Sequence, residues 1–321
     1  MGWVYGLAPL GNGHIASGSY DKTTRIWDLA SSISADDHES HKCGVKAFAI
    51  LGDGHVASGS SDKTIRIWDP SSGKCSALLK GHQGSVNALT VLSDGSLVSG
   101  SSDKTIRLWD LVSGNCSGVL NHGSGVISLA VLNDGRLASG SSDHFIHLWD
   151  VDVRKHCGFF EGHRHFVTSL AGFENECFAS GSGDTTIRVW DSTNGVCSAI
   201  FKCYEGWVSS LALLPDGSLA SGLSDTTIRL WDLASGRCTA VFLGHCQLVT
   251  SLAVLSDARL ASGSDDTTIR LWDPIHLDGA PRVLFVADAA ITALGWIPTH
   301  QLLVAGDASG RLHWLDMGGQ Q

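Results

Sequence analysis

The dipeptide Trp-Asp recurs along this chain at a nearly fixed interval. The copies are Trp27-Asp28, Trp68-Asp69, Trp109-Asp110, Trp149-Asp150, Trp190-Asp191, Trp231-Asp232 and Trp272-Asp273, followed by a degenerate eighth, Trp314-Leu315-Asp316. Successive tryptophans are 40 to 42 residues apart. Self-similarity at such a period indicates that the chain repeats one structural unit and stacks the copies against each other.

Each repeat is predicted to contain short strands joined by tight turns. In the unit from Gly81 to Asp110, an apolar and β-branched run suits a strand buried on both faces, and Ser93-Asp94-Gly95 suits a turn. No segment has helical periodicity. The predicted strands of this unit are Ser85 to Leu92, Ser96 to Ser101, Thr105 to Trp109 and, after the Trp-Asp pair, Cys116 to Leu120.

These units resemble the WD-repeat (WD40) family, and the resemblance covers almost the whole chain. An Asp stands six residues before the Trp in seven of the eight units, at Asp21, Asp62, Asp103, Asp143, Asp184, Asp225 and Asp266. A His precedes the first strand in five units, at His41, His82, His122, His163 and His245. The resemblance implies an all-β fold, a WD40-type β-propeller whose blades are antiparallel four-stranded sheets.

The resemblance also implies a hydrogen-bonded group inside each blade, which we call the blade network. In the third unit its members are predicted to be His82, Ser99 or Ser101, Asp103 and Trp109. A buried carboxylate needs donors, which the imidazole and hydroxyl supply, while the indole N–H needs an acceptor. A Ser/His/Asp grouping is also the composition of a hydrolase triad. Its recurrence in unit after unit favours a structural role, because catalysis needs one site.

Counting strands predicts eight blades in a single domain spanning residues 1–321. There are eight sets of the first three strands, but only seven outer strands, so the last blade is predicted to be three-stranded or incompletely closed. The first outer strand is placed within Ser31 to Glu39. Two interpretations of ring closure stay open: upstream sequence supplies the missing strand, or tryptophan packing and first-strand contacts close the ring. The blade cores are predicted to end near Trp27, Trp68, Trp109, Trp149, Trp190, Trp231, Trp272 and Trp314.

Charge and composition exclude some classes of partner. The formal net charge of −10 argues against binding to nucleic acid or to an anionic membrane. Without an 18-residue apolar stretch or a signal peptide, the chain is expected to be cytoplasmic. Five of its nine cysteines are expected to begin outer strands in successive blades, too far apart to pair, which predicts reduced thiols. These are Cys75, Cys116, Cys157, Cys197 and Cys238.

Histidine-rich segments raise the question of a metal. The densest are His163-Arg164-His165 and His144-Phe145-Ile146-His147, and no Cys-x-x-Cys accompanies them. His163 is assigned to the blade network, and His144 and His147 are expected on opposite sides of a strand. The sequence therefore predicts no metal site and no cofactor.

The resemblance places partner contacts on one face of the ring, just before each first strand and in the turn between the second and third strands. Because the units are so alike, large side chains at these positions stand out, and turn lysines in the early units make one side more basic. The predicted partner-binding residues are Trp207, Phe166, Tyr20, Trp3, Tyr5, Leu248, Lys63 and Lys104. The alternative is that these are solvated turn residues and channel plugs, with Trp3 and Tyr5 sealing the ring.

The predicted function is a non-enzymatic scaffold or sensor in signalling that binds a protein or peptide partner. The segment from Leu302 to Trp314 is similar to the ends of C-terminal propellers in bacterial signal-transduction NTPases. A nucleotide-binding signalling module, in this or another chain, is therefore a predicted partner, although the chain lacks a G-x-x-x-x-G-K-[ST] loop. The alternatives are a hydrolase or lyase that uses the central channel and a purely structural subunit of a larger complex.

Overall fold

The described part of the chain forms β-strands and turns. The computed structural model describes residues 4–9, 14–19, 24–28, 45–53, 55–69, 74–173, 176–276, 281–287, 290–297, 302–307 and 312–317. These residues contain thirty strands in eight antiparallel sheets, numbered here in chain order, and no helix. No described segment is therefore a helix long and apolar enough to span a membrane.

The first four sheets follow the repeat. Sheet 1 contains β1 (Val4–Pro9), β2 (His14–Ser19) and β3 (Thr24–Asp28). Sheet 2 contains β4 (Val45–Ile50), β5 (Val56–Ser60), β6 (Ile65–Asp69) and β7 (Lys74–Leu79). Sheet 3 contains β8 (Val86–Val91), β9 (Leu97–Ser101), β10 (Thr105–Asp110) and β11 (Asn115–Asn121). Sheet 4 contains β12 (Val126–Val131), β13 (Leu137–Ser141), β14 (Ile146–Asp150) and β15 (Lys155–Phe160).

The last four sheets repeat the same order. Sheet 5 contains β16 (Val167–Gly172), β17 (Cys177–Ser182), β18 (Thr186–Asp191) and β19 (Cys197–Lys202). Sheet 6 contains β20 (Val208–Leu213), β21 (Leu219–Leu223), β22 (Ile228–Asp232) and β23 (Arg237–Phe242). Sheet 7 contains β24 (Val249–Val254), β25 (Leu260–Ser264), β26 (Thr268–Trp272) and β27 (Arg282–Val286). Sheet 8 contains β28 (Ile291–Ile297), β29 (Leu302–Asp307) and β30 (Leu312–Asp316).

First strands join neighbouring sheets into a ring. The first strand of each sheet contacts the first strand of the next, and β28 of sheet 8 contacts β1 of sheet 1. Sheets 1 and 8 have three described strands each. The outer strand predicted within Ser31 to Glu39 lies outside the described residues.

The core lies between successive sheets. Second strands are buried along their whole length, as in β9 and β13. Trp109 of sheet 3 packs with Ile65, Leu79 and Leu97, so it fills the space between sheets 2 and 3. Glycine in the second strand permits this closeness, because a Cβ on Gly59 would lie 2.7 Å from Cγ1 of Val86 in the next sheet. Each sheet thus needs its neighbours to bury its apolar side chains, as in other repeat proteins.

Side-chain hydrogen bonds also join the sheets. Asn87 donates from Nδ2 to the carbonyl of Val126 over 2.8 Å, and Thr168 donates from Oγ1 to the carbonyl of Val208 over 2.8 Å. Both donors lie one residue inside a first strand, and both acceptors lie in the next first strand. These positions near the channel therefore stabilise the ring.

Candidate functional site

The antiparallel order of each sheet places two connections at the same end of the ring. The residue just before each first strand accepts a backbone hydrogen bond from the turn between the second and third strands. The donor–acceptor pairs are Ser102 to Ser85 (2.9 Å), Ser142 to Gly125 (2.9 Å), Gly183 to Phe166 (3.0 Å), Ser224 to Trp207 (3.0 Å) and Asp265 to Leu248 (3.0 Å). We call this end of the ring the entry face.

Trp207 is the most exposed of the predicted large residues whose side chains are described on the entry face. The residue is 37% exposed. Its backbone N–H donates to Oγ of Ser224 over 2.9 Å, and its carbonyl accepts from the N–H of Ser224 over 3.0 Å. The backbone is thus held at both polar groups while the indole remains accessible. A rigidly placed, accessible aromatic ring is suited to anchor a partner.

Phe166 is half-buried and belongs to a group of rings that joins two sheets. Its ring meets His165 edge to face at a centroid distance of 4.2 Å. His165 stacks on His144 of the preceding sheet at 5.8 Å, with the planes 5° apart. The repeat pattern places His144 on this face, where earlier units have a turn lysine, but it did not predict that His165 belongs to the same group of rings.

A glycine makes room for these rings, and it is the sequence signal that could have revealed them. A Cβ on Gly183 would collide with the side chain of His165 and approach Cζ of Phe166 to 3.0 Å. The equivalent turn position holds Ser102, Ser142 and Ser224 in other sheets. Glycine at this turn therefore allows His165 and Phe166 to lie across it.

The other predicted contact residues are partly described. Leu248 is half-buried on the entry face, and Lys63 and Lys104 are exposed in their turns. Both lysines have positive φ, 72° and 70°, a conformation that non-glycine residues rarely adopt. Trp3 and Tyr20 lie outside the described residues, and for Tyr5 only the backbone in β1 is described.

The blade network of sheet 3 is a chain of hydrogen bonds within one sheet. His82 Nδ1 lies 2.8 Å from Asp103 Oδ2, and His82 Nε2 lies 2.7 Å from Ser99 Oγ. The indole N–H of Trp109 donates to Ser99 Oγ over 2.8 Å. Of the two serines considered, Ser99 occupies the place between the indole and the imidazole. The same arrangement recurs around His163 in sheet 5 and His245 in sheet 7.

Hydrogen bonding controls the charge of the network carboxylate. Burial alone would raise the pKa of Asp103, but hydrogen bonds from Thr105, the Gln83 N–H and His82 lower it to about 2. Burial lowers the pKa of His82, against the opposing effect of Asp103. The network therefore holds an ionised carboxylate beside a neutral imidazole.

This connectivity matches a hydrolase triad, but its surroundings do not. The side chain of Ser99 has no exposed surface, and its oxygen already accepts from Trp109. His82 is 4% exposed. No substrate can reach this hydroxyl, so the network in these sheets is structural.

In sheets 3 and 5, the arginine two residues before the Trp packs within its own sheet. Nη1 of Arg107 lies 3.7 Å from Sγ of Cys116, and the same atoms of Arg188 and Cys197 lie 3.8 Å apart. These contacts support a structural role for the repeated arginines.

Sheet 4 departs from two expectations drawn from the sequence. Trp149 pairs with His156, so His156 occupies the outer-strand position that holds Cys75, Cys116, Cys197 and Cys238 elsewhere. The assignment of Cys157 to that position was wrong, because the outer strand of sheet 4 is shifted by one residue. The placement of His144 and His147 on opposite sides of one strand was also wrong. His144 lies in the turn before β14, with φ of 77°.

A cavity missed by sequence reasoning lies on the face opposite the entry face. It has a volume of about 680 Å³ between sheets 5 and 6. Its lining includes Phe173, Cys177, Val189, Leu214 and Leu233. The turns that follow β20 and β22 form part of it, and the repeat pattern does not show how far apart these side chains pack.

Known proteins resemble the chain in sequence and in structure. The WD40 family model, described as "WD domain, G-beta repeat", matches seven segments, 2–28, 34–69, 73–110, 114–150, 154–191, 195–232 and 236–273. The crystal structure of the computationally designed Ika8 protein is similar, with a TM-score of 0.84 and 28% sequence identity. This similarity covers 98% of this chain and 96% of that one. No curated protein matches. Sheet 8 lies beyond the seven matched segments.

Proposed function

The chain belongs to the WD40 family, and from that premise we propose that it is a non-enzymatic platform that binds a protein or peptide on the entry face. WD40 domains typically mediate such interactions. Function in a propeller resides in its surface sites rather than in the fold itself. The buried serines of the blade network in sheets 3, 5 and 7 give no support to a hydrolase.

The exposure of Trp207 carries this proposal. The equivalent positions in sheets 3 and 4 hold Ser85 and Gly125, so a large ring is not required to build this part of a sheet. Phe166 occupies the same position in the neighbouring sheet 5 and is also partly accessible. Aromatic side chains at equivalent positions of neighbouring sheets, each on a rigidly held backbone, provide contact area at a small entropic cost.

Charge indicates the chemistry of the partner. Lys63 and Lys104 are exposed on the entry face of sheets 2 and 3, in a chain whose formal net charge is −10. The turn of sheet 7, across the ring, carries the carboxyl groups of Asp265 and Asp266 and has no lysine. Burial and the neighbouring Asp266 raise the pKa of Asp265. We therefore infer a partner that places acidic groups near the lysines and apolar side chains over Phe166 and Trp207. A nucleotide-binding signalling module, in this or another chain, remains a predicted partner, and a cytoplasmic location remains a prediction for this chain.

Peptide selection tests this proposal even though the natural partner is unidentified. Peptides are selected on immobilised wild-type protein from a random display library, and their affinities are measured against the Trp207→Ala variant. We expect a loss of roughly 30-fold or more, which corresponds to about 2 kcal/mol for an aromatic anchor. The matched control is Ile275→Ala, because Ile275 is 69% exposed in a turn on the opposite face. Equal binding to wild type and Trp207→Ala, or a loss confined to Ile275→Ala, would overturn the proposal.

A further inference from the structure

Sheet 4 replaces three residues around its blade network. Phe145 stands where Thr64, Thr105, Thr186, Thr227 and Thr268 stand in other sheets. His147 stands where Arg66, Arg107, Arg188, Arg229 and Arg270 stand. His156 stands where the register places a cysteine in four other sheets. All three replacements fall beside His122 and Asp143, the network residues of this sheet.

The replacements change which residue Asp143 contacts. In sheet 3, Thr105 donates to Asp103 Oδ1 over 2.6 Å, and His82 lies 2.8 Å from Oδ2. Phe145 cannot donate from its side chain, and Oδ2 of Asp143 lies 3.2 Å from Nε2 of His147. Asp143 also accepts from Oγ of Ser141. The carboxylate of Asp143 is therefore hydrogen-bonded to Ser141 and His147 rather than to His122.

His122 is left with an unused ring nitrogen. Its side chain is 5% exposed, and its Nδ1 has no hydrogen-bond partner in the described part of the chain. Its Nε2 lies 2.9 Å from Oγ of Ser139, and its backbone N–H donates to the carbonyl of Lys104 over 2.8 Å. The imidazole is thus held in place with one buried nitrogen unsatisfied, which is costly for a polar atom.

We propose that His122, Asp143 and His147 bind a divalent first-row transition metal such as Zn²⁺. One ligand atom from each residue lies within 4.8 Å of the other two. Ligands on tetrahedral Zn²⁺ stand about 3.3 Å apart, given bonds of about 2.0–2.1 Å. Nε2 of His147 and Oδ2 of Asp143 already lie 3.2 Å apart. Metal binding therefore requires the ring of His122 to move towards these two atoms. Two imidazoles and one carboxylate suit zinc and its neighbours rather than Ca²⁺ or Mg²⁺.

Two further side chains orient the ligands. Nδ1 of His147 lies 3.0 Å from Nε2 of His156, so His147 can donate there and direct the lone pair of its own Nε2 to the metal. An Nε2–H on His122 can donate to Ser139, which leaves its Nδ1 lone pair free. Metal-binding histidines usually have such a partner on the second nitrogen. His156 is therefore a positioning residue.

The site is accessible enough to load. The side chain of Asp143 is 26% exposed and that of His147 is 13% exposed, while His122 lies deeper. Three protein ligands leave one position of a tetrahedral ion for water or another small ligand.

Titration of the tag-free protein with zinc sulfate tests the site. We expect one Zn²⁺ per chain by calorimetry. His147→Arg, which introduces the arginine of the other sheets, and Asp143→Asn are each expected to weaken binding by roughly 100-fold or more. His156→Cys, the residue of four other sheets, is expected to weaken it roughly 10- to 100-fold. The control is His165→Ala, which removes an exposed histidine of the entry face and should leave zinc binding unchanged.

Wild-type measurements keep the proposal falsifiable if a variant misfolds. Co²⁺ is expected to give the visible absorption bands of a tetrahedral nitrogen and oxygen site, without a sulfur-to-cobalt charge-transfer band. Anomalous diffraction from zinc-soaked crystals should place the ion between His122 and His147. Absence of stoichiometric binding, full binding by His147→Arg, a thiolate spectrum or an ion elsewhere would overturn the proposal.

Discussion

Nδ1 of His82 lies 2.8 Å from Oδ2 of Asp103. A carboxylate can only accept, so Nδ1 carries the imidazole proton and Nε2 accepts from Ser99 Oγ. Because the indole of Trp109 can only donate, the hydrogen bonds run in one direction from Trp109 to Asp103. Every member of this buried chain is paired.

Removing the residue at either end of this series of hydrogen bonds, Asp103 or Trp109, should destabilise the protein. Asp103→Ala leaves a buried imidazole donor unpaired and should lower the free energy of unfolding by about 1–3 kcal/mol. Trp109→Ala also opens a cavity between sheets 2 and 3, so its expected cost is about 3–5 kcal/mol. Urea denaturation measures both. Asp152→Ala, an exposed carboxylate in a turn of sheet 4, is the control and should change stability by less than about 0.5 kcal/mol.

Acid should destabilise the protein through the same carboxylates. The pKa values of Asp103 and Asp266 are lowered to about 2 from 3.8, because hydrogen bonds to the charged form outweigh burial. A lowered carboxylate pKa stabilises the fold above the unfolded value, and this contribution is lost as pH falls from about 4 to 2. Each carboxylate contributes on the order of 2 kcal/mol.

The buried histidines act in the same direction at higher pH. Burial lowers the pKa values of His82 and His245, so the folded state resists their protonation and stability falls as pH drops below 6.5. Urea denaturation from pH 7 to pH 2 should show both effects. Asp103→Asn should have a shallower loss below pH 4 than wild type. Equal slopes would show that Asp103 does not control this transition.

Trp207 should contribute little to stability, unlike Trp109. Trp207 is 37% exposed, whereas Trp109 is 1% exposed. Trp207→Ala is therefore expected to change the free energy of unfolding by less than about 1 kcal/mol. Thermal melts of the two alanine variants make the comparison. A loss for Trp207→Ala as large as that for Trp109→Ala would assign Trp207 to the core.

The count of eight blades is also a prediction for experiment. Eight sheets are described, with β28 against β1, whereas the family model matches seven repeats. A crystal structure should show eight sheets in one ring. Seven blades with β1–β3 packed elsewhere would contradict the count.

The repeat explains why the sheets and the equivalent positions within them could be predicted from the sequence. Each strand of a sheet pairs with the next along the chain, so the Trp-Asp period and the turn residues predicted the order of the strands and, in sheet 3, their borders to within one residue. The same spacing placed Phe166, Trp207 and Leu248 at equivalent positions, and all three accept the same backbone hydrogen bond. Contacts of this kind repeat with the sequence, because every copy has the same neighbours.

Tertiary structure alone decided how the departures from the repeat combine. The stacking of His144 on His165 requires contact between two sheets. The group of His122, Asp143 and His147 depends on the orientation of the Asp143 carboxylate. The sequence showed Phe145 and His147 as replacements but not that Asp143 would leave His122 for His147. Periodicity determines backbone positions, whereas the choice among competing hydrogen-bond partners depends on side-chain geometry in three dimensions.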